Sequence, residues 1–312
     1  MVGAVVIAAL NYVGIKPSAV FQLVSVLFLF AVGLLLLLGI FVGGEAENFR
    51  PLFAGGVAGV LSVLIMTPFM FVGFDVIPQS AEEVNIPYRQ IGMLLVISVL
   101  LAAGWYILII AGVSSGMSRA ELAGSELATA DAMGSLFGGE VFSSILILGG
   151  IAGILTSWNG FMVGASRILY AMAESGMLPG WLGRLHPRYR TPANAILLVG
   201  ALSVIAPFFG ESALVWLVNA GGLGIVVAYL LVAVSFLVLR RREPDMERPF
   251  RAGRGPAVGI VAVLLSLGVA VQYLPGMPAG LGVAEWIIVG LWSLAGLTFA
   301  LRMEVPEYDA GA

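Results

Sequence analysis

The chain alternates long apolar runs with short polar connections. Eight runs reach the roughly 17 to 25 residues that a helix needs to cross a bilayer. Strands of a membrane barrel would instead alternate apolar and polar residues over about 10 positions, and these runs do not. The pattern therefore predicts an all-α polytopic membrane protein of about eight transmembrane helices, in a single domain over residues 1–312. The predicted helices are 20–42, 53–84, 90–113, 141–174, 193–209, 213–239, 256–275 and 283–302.

A shorter apolar segment, residues 1–13, precedes the first run. It is too short to cross a bilayer as a helix, and it lacks the basic residues that open a signal peptide. We therefore expect these residues to be the end of a further helix whose beginning is missing.

Composition agrees with a membrane protein. Hydrophobic residues make up 60% of the chain, charged residues only 11%, and the mean hydropathy is +1.04. A soluble domain has about 25% charged residues. The chain has no cysteine, which excludes disulfides and thiolate metal sites.

The basic residues indicate how the helices are oriented. If residues 20–42 start in the cytoplasm, 13 of the 15 basic residues lie on the cytoplasmic side, and only Arg50 and Arg119 lie outside. Cytoplasmic loops of membrane proteins collect Lys and Arg in this way. The same rule explains Arg240–Arg242 better than a nucleic-acid-binding patch does. We thus expect a multi-pass protein of the cell membrane with a cytoplasmic C-terminus and no nucleic-acid partner.

The run 53–84 contains three residues that interrupt a membrane helix. Asp75 is an ionisable group at membrane depth, which costs at least ~2.5 kcal/mol and normally faces a protein interior or a cavity. Gly73 suits the turn after a helix C-terminus. Asp75 is able to cap a second half-helix, and Pro78 falls in the first turn of that half, where its missing N–H costs little. The sequence predicts one helix broken into an outer and an inner half.

Such a break is typical of a binding site. The C-terminal end of the outer half carries about half a negative elementary charge, which suits an ammonium group or a small cation. Many secondary transporters point the ends of broken helices at their substrate near the membrane midplane. A structural kink in which Asp75 only caps the inner half remains the alternative, and the two roles are compatible.

Four stretches of the chain follow a distinctive order. Around the break, Phe71–Asp75 is followed by Ala81–Glu83 and Pro87. Together the four resemble the amino acid/polyamine/organocation (APC) permeases, with the break similar to their sixth transmembrane helix. The other three are similar to segments before the fifth helix, at the end of the eighth and after the tenth, and they lie at residues 11–16, 165–192 and 239–251.

The resemblance implies a core of two inverted five-helix repeats, as in leucine-transporter-like folds, with two peripheral helices. It implies transport of amino acids or related amines by alternating access. In this register residues 1–13 are the end of helix 4, and the eight runs are helices 5 to 12. The broken first helix, which would meet the substrate carboxylate, is absent. We therefore expect a partial fold that does not transport alone. A fragment, a truncated gene model and a split protein whose N-terminal helices form a separate chain all stay open.

The candidate site residues lie in two segments. Around the break the substrate-binding candidates are Phe71, Val72, Gly73, Phe74 and Asp75, and residues 141–174 add Trp158. Thr156 and Ser157 are candidates for an ion site, although an interior hydroxyl more often bonds back to its own helix. Small residues recur along one face of this helix, where close packing is the first interpretation. They are Gly149, Gly153, Ser157, Gly160 and Gly164.

The coupling ion is either H⁺ or Na⁺, and no other cofactor is expected. Some APC relatives carry a lysine in the fifth helix in place of sodium, and this chain has Leu29 there. Asp75, the only acid at membrane depth, is the candidate for proton coupling. We expect Glu82 and Glu83 to be solvated or to pair with Arg89 at the cytoplasmic interface.

Other functional classes fit less well. An enzyme would need a nucleophile, a base or a metal set, yet the single histidine, His186, lies in a basic loop. No Walker-type phosphate-binding motif occurs. A channel or a sensor built on the same broken helix remains the alternative, because a broken helix also lines pores. The absence of a second acid at depth argues against strongly cationic substrates.

Overall fold

The computed structural model describes residues 2–53, 55–64, 67–83, 85–253, 255–277 and 280–302. Residues 54, 65, 66 and 84 of the predicted broken run lie outside this part. The described residues contain helices and no strand. They form α1 Val2–Val13, α2 Ile15–Gly43, α3 Gly56–Leu64, α4 Thr67–Phe71, α5 Val76–Gln79, α6 Tyr88–Gly116, α7 Arg119–Gly124, α8 Ala128–Phe137, α9 Glu140–Glu174, α10 Ala193–Ile205, α11 Gly210–Arg242, α12 Ala257–Gln272 and α13 Val283–Ala300.

Among the described residues, five helical stretches are long and apolar enough to cross a membrane. They are α2, α6, α9, α13 and the run Ala193–Arg242, which contains α10 and α11. Within that run a 3₁₀ turn, Ala206–Phe209, ends α10, and Gly210 begins α11 with φ +81°. A positive φ is readily adopted only by glycine, so the two helices are distinct elements. The chain is an all-α, multi-pass membrane protein, and the predicted fold class is confirmed.

Helices α2 and α9 pack closely against each other. Val32 lies directly on Gly149, where an added Cβ would stand 2.8 Å from the Val32 Cγ1 atom, and Leu29 lies on Gly153. Small residues let helix backbones approach in lipid, where no hydrophobic force drives association. The packing role predicted for this glycine face is therefore confirmed at these two positions.

The broken segment lies between two groups of helices. α4 contacts α11, which packs with α12 and α13, whereas α5 contacts α9. α5 approaches α9 at Gly164, where an added side chain would collide with Gln79. The two short helices on either side of the break therefore rest on different neighbours.

The break falls at residues 72–75, between the end of α4 at Phe71 and the start of α5 at Val76. Gly73 has φ +125°, a conformation that other residues rarely adopt. On α6, the Tyr106 hydroxyl donates to the Met70 carbonyl oxygen at 2.8 Å, which satisfies one carbonyl at the end of α4. Gly73 thus turns the chain, as the sequence predicts.

Candidate functional site

A cavity of about 400 Å³ opens beside the break, between α2, α5 and α9. Its apolar lining consists of aliphatic side chains and one aromatic ring. The polar lining is neutral: no ionisable side chain of the described residues lines it. The apolar residues are Ile15, Val72, Val76, Ile77, Phe161 and Val163, and the polar ones are Ser18, Gln22, Ser80, Thr156, Ser157 and Asn159.

Asn159 organises the polar wall of this cavity. Its Oδ1 atom accepts hydrogen bonds from Asn11 Nδ2 at 2.8 Å and from Ser18 Oγ at 3.0 Å. Its Nδ2 atom donates to Gln22 Oε1 at 2.9 Å. Asn11, Ser18 and Asn159 are at most 2% exposed. Because buried amides need partners, this network joins α1, α2 and α9 into a rigid wall.

The network also orients Gln22. Its Oε1 atom is held by Asn159, and its Nε2 atom has no partner in the described part of the chain. Gln22 therefore brings two amide N–H donors to the cavity lining. The sequence pattern does not single out Gln22 or Asn159. An asparagine inside an apolar helix is costly unless it is partnered, and that is the signal that would have revealed it.

Backbone carbonyls at the break supply acceptors. The carbonyl oxygen of Phe69 accepts from the Val72 N–H at 3.2 Å, and that of Gly73 accepts from the Val76 N–H at 3.2 Å. The carbonyls of Phe71 and Val72 accept none of the hydrogen bonds found at the turn. They lie at the C-terminal end of α4, where carbonyl oxygens carry partial negative charge.

The Asp75 carboxylate accepts two hydrogen bonds from residues of the same broken segment. Its Oδ1 atom accepts from the Gly73 N–H at 2.8 Å, and its Oδ2 atom accepts from Gln79 Nε2 at 3.1 Å. The prediction that its side chain caps α5 is wrong, because the carboxylate makes no capping hydrogen bond. Its own backbone is already helical, at φ −68° and ψ −18°, so the carboxylate turns back to Gly73.

Replacing Asp75 should separate its hydrogen-bonding role from its charge. Asp75→Ala removes both acceptors, and hydrogen bonds to a charged group contribute about 1.5 to 3 kcal/mol each. We expect Asp75→Ala to lower the free energy of unfolding by about 3 kcal/mol, the low end for two such bonds, and Asp75→Asn by less than half as much, since asparagine keeps one acceptor. Unfolding by denaturing detergent measures both. Equal losses would show that these bonds do not stabilise the turn.

The predicted site residues are only partly brought together. Val72, Gly73, Thr156 and Ser157 line the cavity. The Thr156 hydroxyl donates to the Gly153 carbonyl at 2.7 Å, the bond back to its own helix that sequence analysis had left as the alternative. The assignment of these residues to a substrate or an ion stays a prediction.

The aromatic candidates lie on other surfaces. Phe71 packs edge-on against Tyr106, with ring centroids 5.5 Å apart, and Phe74 lies 5.7 Å from Tyr229 of α11. Trp158 packs among hydrophobic residues of α1 and α10, and its indole nitrogen donates to Ser203 at 3.4 Å. None of the three is among the cavity-lining residues.

An ion pair joins α9 to the turn that follows α5. The Arg167 guanidinium donates two hydrogen bonds to the Glu83 carboxylate, from Nε to Oε1 at 2.7 Å and from Nη2 to Oε2 at 3.2 Å. The Arg167 side chain is 8% exposed and that of Glu83 is 35% exposed. The expected pairing of Glu83 with Arg89 is wrong, because α9 passes closer to the turn that follows α5. The side chain of Glu82 lies outside the described part.

Comparison with known protein families finds one that covers most of the chain. Residues 3–295 match the family model described as amino acid permease. The chain belongs to the amino acid permease family. This family lies within the APC superfamily that the sequence motifs resemble, so that resemblance is confirmed.

This chain is similar to several known transporters. It is 28% identical to the branched-chain amino acid permease BcaP of Bacillus subtilis, over 91% of this chain and 60% of the relative. It is 27% identical to the methylthioribose transporter of the same organism, over 91% and 59%. It is 32% identical to the cationic amino acid transporter 4 of Mus musculus, over 75% and 36%. The chain thus spans about 60% of the length of the two Bacillus relatives.

Proposed function

We propose that this chain carries the substrate site of a secondary transporter that moves amino acids or related amines by alternating access. The observation that carries the proposal is the cavity beside the broken helix, in a chain of the amino acid permease family. In this proposal the helices form part of a 5+5 inverted-repeat fold. Broken helices at a midplane site are how such folds bind their cargo.

The contacts of the broken segment support an alternating mechanism. α4 contacts α11 and α5 contacts α9, so relative movement of those two helix groups changes the distance between the two sides of the break. The cavity lies on the α9 side. A substrate bound there contacts the break itself at Val72 and Gly73 and so responds to movement between the two groups.

The lining favours a neutral, aliphatic amino acid as cargo. The apolar wall suits a hydrocarbon side chain, and no described lining residue supplies a counter-charge for a cationic one. Asp75 is engaged by Gly73 and Gln79 instead. In this arrangement the carbonyl of Val72, which lines the cavity and accepts no hydrogen bond from the described residues of the turn, accepts the substrate ammonium group. The name of the branched-chain permease from Bacillus is consistent with this assignment.

The coupling ion and the orientation are part of the same proposal. Proton coupling through Asp75 and sodium binding at Thr156 and Ser157 are the two candidates. The basic residues support a cytoplasmic location for the C-terminus. Because the chain covers about 60% of the Bacillus relatives, we expect vesicles containing only these 312 residues to bind substrate without accumulating it. Accumulation of labelled leucine against a gradient would contradict that expectation.

Equilibrium binding to the purified chain in lipid nanodiscs tests the proposal. We expect saturable binding of labelled leucine, displaced by isoleucine and valine at similar concentrations and by lysine only at concentrations at least ~10-fold higher. A failure of every amino acid to bind would contradict the proposed site. Preferential binding of lysine would keep the carrier function and contradict the aliphatic cargo.

A further inference from the structure

A second cleft, of about 830 Å³, lies at the start of α6. One wall is the first turn and a half of α6, with Arg89, Gln90 and Met93. The other wall is the connection between α11 and α12, residues 247–251. The cleft takes no part in the site described above, since it shares no lining residue with the cavity.

The connection that forms this cleft is held by its own arginines. Arg248 donates to four backbone carbonyls at the end of α11, those of Leu239, Glu243, Pro244 and Met246. Arg240 holds the part of the connection nearer to α12. It donates to the carbonyls of Ala252 and Gly253, each at 3.1 Å, and to that of Gly255. Charged donors bound to carbonyls at a helix C-terminus are favourable, so both ends of the connection are fixed.

A glycine brings the two walls together. Phe250 packs directly on Gly92 of α6, and any larger side chain at that position would collide with its ring. This contact places the loop against the first turns of a candidate membrane span. The cleft is therefore built by specific packing.

Two cations in the cleft have no partner among the described residues. No hydrogen bond or ion pair engages the guanidinium groups of Arg89 and Arg251 within the described residues. Arg248 adds a third positive charge, although its terminal nitrogens are occupied, and Glu247 is the single acid in the lining. Within the part of the chain that the structure describes, the cleft carries a net positive charge and two guanidinium groups without partners, which suit the oxygens of a phosphate group.

Apolar surface continues from this charged end along α6. Met93 is 50% exposed and Phe250 is 39% exposed. Farther along α6, Leu100 and Leu101 are 67% and 69% exposed, as expected for a helix that faces lipid. A ligand that places an anion at Arg89 and a hydrocarbon chain along Met93 would match both parts of the surface.

We propose that this cleft binds the headgroup of an anionic phospholipid. The phosphate accepts hydrogen bonds from Arg89 and Arg251, and the acyl chain lies along α6 past Met93. Basic pockets at the membrane boundary between helices are a recurring way of binding acidic headgroups. The bound lipid would join the α11–α12 connection to α6 and so stabilise the contact between Phe250 and Gly92.

Binding of short-chain phosphatidylglycerol to the purified chain in uncharged detergent tests the proposal, with phosphatidylcholine and inorganic phosphate measured in parallel. We expect phosphatidylglycerol to raise the thermal unfolding temperature saturably, and phosphatidylcholine not to. The variant Arg89→Gln/Arg251→Gln should weaken phosphatidylglycerol binding at least ~10-fold. Arg89→Lys/Arg251→Lys should keep most of it, which separates charge loss from misfolding.

Two arginines on the α9–α10 connection provide a matched control. Arg184→Gln/Arg188→Gln removes the same charge from positions outside the cleft lining and should leave lipid binding unchanged. Equal losses in the two double glutamine variants would contradict a built site and indicate diffuse surface attraction. Variant-sensitive binding of inorganic phosphate without binding of phosphatidylglycerol would assign the cleft to a free anion and overturn the lipid proposal.

Discussion

Gly160→Phe is expected to abolish amino acid binding while the helices stay folded. Gly160 lies on α9 and lines the cavity beside the break, and a Cβ atom built there meets no heavy atom within 4 Å. A phenyl ring at this position therefore occupies the cavity without displacing packed neighbours. We expect leucine affinity to fall at least ~100-fold, which corresponds to about 2.8 kcal/mol of binding free energy.

The same helix offers a matched control for this change. Gly150 also has open space around it, but it faces a separate groove shared with α8. Gly150→Phe adds the same ring to α9 and should leave leucine affinity within about twofold of the unmodified chain. Retention of binding in Gly160→Phe would move the substrate site elsewhere. Equal loss in both variants would show that the ring disturbs α9 as a whole.

The ion pair between Glu83 and Arg167 should respond asymmetrically to removal of either partner. Glu83→Ala leaves the Arg167 charge without its partner at 8% exposure, and an uncompensated buried charge costs about 3 kcal/mol or more. Arg167→Met leaves Glu83, which at 35% exposure is able to recover hydration, and the loss is then about 1 kcal/mol. Denaturing-detergent titration of both variants measures the order.

The double variant completes the test. Glu83→Ala/Arg167→Met should be more stable than Glu83→Ala alone, because the unpaired cation is gone and a methionine packs in its place. An additive loss, or a greater loss from Arg167→Met than from Glu83→Ala, would contradict the view that the buried guanidinium is the costly partner. The pair joins the turn after α5 to α9, so breaking it should also loosen the contact between α5 and α9.

Local chemistry in the sequence predicted the break but not every bond within it. Gly73 adopts the positive φ that glycine alone tolerates easily, and this preference is visible in the sequence. The hydrogen bonds of Asp75 are not predictable from the sequence, because a carboxylate beside a turn has several free N–H groups within reach. Its choice of Gly73 and Gln79 depends on a backbone conformation that neighbouring residues impose.

Partners across helices were beyond the reach of the sequence pattern. Ser157 and Trp158 are neighbours on α9, yet one lines the cavity and the other packs towards α1 and α10. Which face meets which helix follows from packing of the whole bundle. Asn159 and Gln22 meet across 137 residues of chain for the same reason. The glycine face of α9 was predicted correctly as a packing surface, but its continuation at Gly160 into the cavity was not.

Photocrosslinking with a diazirine analogue of leucine tests the central claim most directly, because it maps the bound amino acid onto the chain. Mass spectrometry of the purified chain after illumination should find leucine-competed adducts on α9 at residues 156–163, or on residues 72–80 at the break. Adducts confined to the groove formed by residues 126–154, or adducts that excess leucine does not suppress, would contradict a substrate site at the broken helix.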